Sequence, residues 1–178
     1  NDRTLIATKV PVSGREEPIA LRNGEVSQVA VVAAAKSIIV YDMKGDLVYE
    51  KPSAEETPWD GECRGVAWSP DGKWLFSWGM FGAKVYDAND GTYIYHFTDH
   101  KSTVRDCEID PRGRYIVMAG TSRCVTIYEL RSEKLVHRFI ESGITGPCTF
   151  DHAGDRVAYF DRGRGAKGGK VVIRDVQS

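Results

Sequence analysis

The chain has 178 residues, 42% of them apolar and 28% charged, a balance that supports a buried core and excludes collagen-like or disordered classes. Its 24 lysines and arginines face 25 acids, so a surface built wholly for nucleic acid or an anionic membrane is excluded, although a local basic patch is not. No run reaches the roughly 18 to 20 apolar residues of a membrane helix, and "NDRTLIATKV" lacks the long apolar segment of a signal peptide, so a soluble protein without membrane partners is expected.

Taken in chain order, residues 1–16 read as an N-terminal extension or a strand of a neighbouring unit. The first unit, beginning near residue 17, is marked by the turn at Asn23-Gly24, the strand "IIVYD" ending at Asp42 and the strand "KGDLVYE". The acidic loop "SAEETPWDG" follows and carries Trp59. Then comes "WSPDGKWLFSW" from residue 68, with three tryptophans around a Pro-Asp-Gly turn. Its pattern returns forty-one residues later as "IDPRGRYIVMA" and again after forty-one more as "FDHAGDRVAYF".

Aligning Gly72, Gly113 and Gly154 places Val66, Cys107 and Cys148 in one column, and Trp68, Ile109 and Phe150 in a second. Alternate residues of a strand share a face, so both columns belong to one face and predict buried side chains. Leu75, Ile116 and Val157 form a third apolar column after the turn. A later strand ends on an acid in "AKVYD", "VTIYE" and "VVIRD", at Asp87, Glu129 and Asp175. A fourth strand follows in "NDGTYIYHF" and "SEKLVHRF", and Asn89-Asp90-Gly91 suits the positive φ of a tight hairpin. Each glycine-aligned unit is therefore expected to form a four-stranded antiparallel sheet.

Four short strands per unit, repeating every 40 to 45 residues or so without helical periodicity, predict propeller blades. The "SPDG" turn and the "VYD" ending resemble WD-repeat proteins over roughly residues 17 to 176. The landmarks are partly kept: tyrosine at 41, 86 and 128 stands where that family usually has tryptophan, and its Gly-His pair survives only as Asp99-His100. The expected fold is all-β, a partial ring of about four blades near 17–58, 59–100, 101–143 and 144–178, belonging to a larger propeller.

Cys63, Cys107, Cys124 and Cys148 lack the close spacing of zinc or redox sites and read as small buried side chains, which suits a reducing compartment and a cytoplasmic location. The four histidines fall in separate places with no fixed partner spacing, and no phosphate-loop, dinucleotide or nucleophile-elbow motif is present, so no catalytic residue, cofactor, metal or small-molecule substrate is expected. Trp68 and Trp74 flank a turn and read as packing, whereas Trp78 is matched by alanine at 119 and Trp59 lies in the acidic loop, which makes these two the candidate partner contacts.

"FDRGRGAKGGK" interrupts the last unit, setting Arg162, Arg164, Lys167 and Lys170 among four glycines. It reads either as an ordinary solvated hairpin loop or as a flexible cationic segment for phosphate or an acidic partner. With the spacing of "CRGVAWSPDGKWLFSWGMFGAKVYDANDGTYIYHF", this loop makes the stretch from about 37 to 175 similar to the propellers of eukaryotic translation initiation factors, the b subunit of factor three and factor two A. That resemblance implies a non-catalytic platform touching other initiation factors, ribosomal proteins or ribosomal RNA. The alternatives are an architectural component of another large assembly, and an enzyme with a central-channel site. Polar residues recurring at the starts of the innermost strands would favour the enzyme, but those positions read Cys63-Arg64, Arg105-Asp106 and Gly146-Pro147.

Overall fold

A computed structural model describes residues 19–22, 27–33, 37–52, 62–98, 100, 102–164 and 168–177. The N-terminal extension, the Asn23-Gly24 turn, Trp59, Asp99 and Lys167 lie outside the described residues. Among the described residues, fifteen strands make four antiparallel sheets of blade type. The first holds β1 (Ile19–Arg22), β2 (Gln28–Ala33), β3 (Ser37–Asp42) and β4 (Leu47–Pro52) in chain order. The second holds β5 (Cys63–Trp68), β6 (Trp74–Gly79), β7 (Gly82–Asp87) and β8 (Tyr93–Phe97). The third holds β9 (Val104–Ile109), β10 (Tyr115–Gly120), β11 (Cys124–Glu129) and β12 (Lys134–Ile140).

The fourth sheet departs from expectation: it has three strands, β13 (Thr145–Phe150), β14 (Arg156–Asp161) and β15 (Lys170–Asp175). In each earlier sheet the fourth strand is built from residues beyond the strand-ending acid; among the described residues, none beyond Asp175 pairs with β15.

The repeated turn owes its shape to one acceptor and one glycine. Gly72, Gly113 and Gly154 adopt φ of 67°, 65° and 67°, which favours a residue without Cβ. Three residues before each glycine stands Ser69, Asp110 or Asp151, whose side-chain oxygen accepts backbone N–H groups just beyond the turn. Ser69 Oγ accepts from Trp74 N at 3.0 Å, Asp110 Oδ1 from Tyr115 N at 2.9 Å, and Asp151 Oδ1 from Asp155 N at 2.9 Å. The acids ending the third strands cap the next turn in the same way: Asp42 Oδ1 accepts from Lys44 N at 2.8 Å, and Asp87 Oδ1 from Asn89 N at 2.8 Å.

Two compact units divide the chain: residues 1–77 with 85–95, and residues 78–84 with 96–178. In the first, Ala30, Val32, Ile38 and Val40 meet Cys63, Val66, Trp68 and Leu75 in one core. Trp68 is only 9% exposed, donates from Nε1 to Ala20 O at 3.2 Å and lies under the Arg22 guanidinium. In the second, Val117, Ala119, Val125 and Ile127 meet Cys148, Phe150, Val157 and Tyr159. Ile109 and Phe150 are 8% and 7% exposed, so the whole aromatic-and-aliphatic column that contains Trp68 is buried as its repetition requires. All four cysteines are buried, and none forms a disulfide.

Candidate functional site

The loop between β14 and β15 is built on Asp161, the last residue of β14, whose side chain is inaccessible to solvent. Its Oδ2 accepts from Ser142 Oγ at 3.0 Å, and its Oδ1 accepts from Gly143 N and from Gly163 N, each at 3.0 Å. Lys170 Nζ lies 3.9 Å away at the other end of the loop. Burial disfavours the charge on Asp161, but the Gly163 N–H, the Ser142 hydroxyl, the Gly143 N–H and the Lys170 ammonium together hold its carboxyl below the usual carboxylate range.

Two further bonds fix the loop's first arm, Arg162 N to Ile144 O at 3.0 Å and Arg164 Nε to Ser142 O at 3.3 Å. The backbones come too close for side chains: a Cβ on Gly143 would lie 2.2 Å from Gly163 O, and one on Gly169 would lie 2.3 Å from Phe160 Cζ. Gly143 and Gly169 therefore serve close packing at the loop's base, where the sequence pattern suggests only flexibility. Arg162, Arg164 and Lys170 extend from this base into solvent. Three cations displayed from an anchored platform can engage a phosphate or carboxylate without first ordering the backbone that carries them.

Of the other sequence candidates, Trp78 is half-buried on β6 in a different sheet, and its indole Nε1 is buried with no acceptor among the described residues. Ser142, Gly143 and Asp161 carry the loop geometry yet escape sequence reasoning, because Ser142 and Gly143 lie in the β12–β13 connection, about twenty residues before the loop. The sequence does carry one signal: Asp161 is an acid that ends the apolar run 157–160 of β14.

The inner strand starts do not converge on one chemistry. Cys63 is buried, Arg64 pairs with Glu62 at 2.8 Å, and Asp106 Oδ2 accepts from Cys148 N at 2.8 Å. Two of the histidines have structural partners: Ser122 Oγ lies 2.8 Å from Nε2 of buried His100, and Val176 O lies 2.8 Å from His137 Nε2.

A family model described as "WD domain, G-beta repeat" matches residues 56–79 and 91–129. These spans cover β5 and β6, then β8 through the end of β11. With the four sheets, they make the fold that of WD-repeat propeller blades. Comparison with curated proteins finds no match.

Proposed function

We propose that this WD-repeat propeller chain is a non-catalytic cytoplasmic scaffold of a multi-subunit complex, whose β14–β15 loop binds the phosphate backbone of RNA. The observation that carries the reading is the anchored loop itself, since a solvated hairpin needs neither the buried Asp161 nor the close Gly143–Gly163 approach. Four buried cysteines that form no disulfide support a reducing compartment. The resemblance to translation initiation factor propellers supplies the most concrete form: a platform meeting other factors and the small ribosomal subunit, with ribosomal RNA on the cationic loop.

The test replaces Arg162, Arg164, Lys167 and Lys170 by alanine and titrates binding to single-stranded RNA and to small ribosomal subunits against salt. The side chains are exposed and their charges contribute little to global stability, so the variant should fold like the parent, with any loosening confined to the loop base that Arg164 and Lys170 help to hold. Its RNA affinity should fall, and the slope of log affinity against log salt should flatten by about 0.7 for each phosphate that the variant no longer neutralises. Unchanged affinity and slope would make the loop a solvated hairpin and leave a protein-binding scaffold only.

A further inference from the structure

Strands that alternate in direction bring five loops to one end of the second unit: the β6–β7 and β10–β11 turns, the β8–β9 and β12–β13 connections, and the β14–β15 loop. Hydrogen bonds join these loops in a row. Phe81 N donates to Ser102 O at 3.2 Å, and Ser102 Oγ lies 2.6 Å from Thr121 Oγ1. Two residues further along the same turn, Arg123 O accepts from Glu141 N at 2.9 Å. The neighbouring Ser142 O accepts from Arg164 Nε at 3.3 Å, which brings the row to the cationic loop.

The rim so formed is segregated in charge. Among the described residues of its loops the acids are Glu141 and Asp161, and both are buried, Glu141 against Tyr159 Oη and Arg174, Asp161 at the base of the loop. The cations Arg123, Arg162, Arg164 and Lys170 are all exposed. The opposite end of the same sheets mixes signs, with Glu129, Glu133 and Asp155 exposed as well as Arg112, Arg131 and Lys134. Mixed signs serve solubility, whereas an end of one sign suits an anionic ligand.

Backbone conformation singles out two positions on the rim. Phe81 and Arg123 each stand just before the third strand of their sheet, at φ of 70° and 56°, in the left-handed region that glycine or asparagine occupies at little cost. Large side chains are held there against local preference, and such strain collects where ligands are bound. Arg123 carries the cationic surface on to the next turn. Phe81 is half-buried and follows Met80, which is 44% exposed, so the far end of the rim presents an aromatic ring. Cations in a row with an aromatic ring fit a single strand of nucleic acid, whose phosphates take the charges and whose bases stack. An acidic protein segment would need only the charges.

We propose that this rim is one binding track for single-stranded RNA, in which Arg123 neutralises a phosphate and Phe81 stacks a base, beyond the phosphates held by Arg162, Arg164 and Lys170. The track rests on the RNA-binding reading of the β14–β15 loop and extends it to the β6–β7 turn.

Fluorescence anisotropy of a labelled single-stranded oligouridylate, titrated at several salt concentrations, tests the track with Arg123→Asn and Phe81→Asn. Asparagine tolerates the left-handed region, so the thermal midpoint should hold or rise in both. Arg123→Asn should weaken binding and flatten the salt slope by about 0.7, the share of one single-strand phosphate. Phe81→Asn should weaken binding roughly fivefold or more at an unchanged slope, because a lost stack alters no counterion release, and Phe81→Tyr should restore it. Either asparagine variant binding like the parent, while the four-alanine loop variant binds weakly, overturns the track and leaves the loop reading standing. A loop variant that also binds like the parent removes that reading, and the track with it. Polyglutamate that binds as tightly as the oligouridylate, and equally well to Phe81→Asn, also overturns the proposal, since it marks a surface for acidic protein. Where the midpoint of Phe81→Asn falls, Phe81→Leu, apolar but without a stacking face, takes its place.

Discussion

Buried side chains at repeated positions carry most of what single residues do here. Trp68 fills the core between the first two sheets and its indole N–H is satisfied by Ala20 O. Trp68→Ala should therefore cost on the order of 3 to 5 kcal/mol, as truncations of buried aromatics do; an unchanged denaturant midpoint would contradict this. His96 and His100 give the residue scale a pH dependence. Burial, reinforced by Lys84 for His96 and by Arg138 for His100, lowers each imidazole from 6.5 to about 4. Both are thus neutral in the fold while the unfolded chain protonates near 6.5. Their contribution is complete above that pH and falls as pH drops towards 4, by at most about 1.4 kcal/mol per pH unit for each. Glu108, whose carboxyl is raised chiefly by burial, works in the opposite direction. Thermal midpoints should decline from pH 7 to pH 4.5, and less steeply in His96→Gln/His100→Gln; parallel declines in the two proteins would remove the histidines as the cause.

Strands and turns were the most legible elements, because what specifies them is local. The alternation that places Trp68, Ile109 and Phe150 on one face can be read without any knowledge of neighbours in space, as can the glycine at each turn. The base of the cationic loop could not be read, since Asp161 meets Ser142 and Gly143 through the fold and no local pattern announces that meeting. The glycine run suggests a mobile loop for the same reason: sequence shows the missing Cβ atoms, and only the structure shows that Gly143 and Gly163 are nearly touching. Asp161→Ala should expose this difference. It would leave the N–H groups of Gly143 and Gly163 without their acceptor, at about 1 to 3 kcal/mol for each that stays buried. Amide exchange at Gly143 and Gly163 should accelerate together, and Asp161→Asn, which keeps an acceptor, should restore most of the protection. Independent exchange at the two glycines would mean that the carboxylate does not tie the loop to the β12–β13 connection.

At the scale of the whole chain, the number of blade-type sheets was legible from the period, whereas the turn and columns of β13 to β15, which match those of four-stranded sheets, led to one strand more than the described residues of the last sheet supply. The division into two units was equally hidden, because its boundaries cut through β6, β7 and β8 and leave no mark on composition. Each unit therefore has to be tested by itself, and in the second, Cys107, Cys124 and Cys148 sit in β9, β11 and β13. All three are buried, and burial raises the Cys107 and Cys148 thiols well above the ordinary range, so none should react with a thiol reagent in the native protein. The third and fourth sheets share one core, so pulsed labelling in moderate denaturant, read by mass spectrometry, should show these three thiols becoming reactive with one rate constant. A species carrying the modification at Cys148 alone, accumulating before Cys107 and Cys124 react, would show that the fourth sheet peels away from the third and that their shared core does not make the unit cooperative.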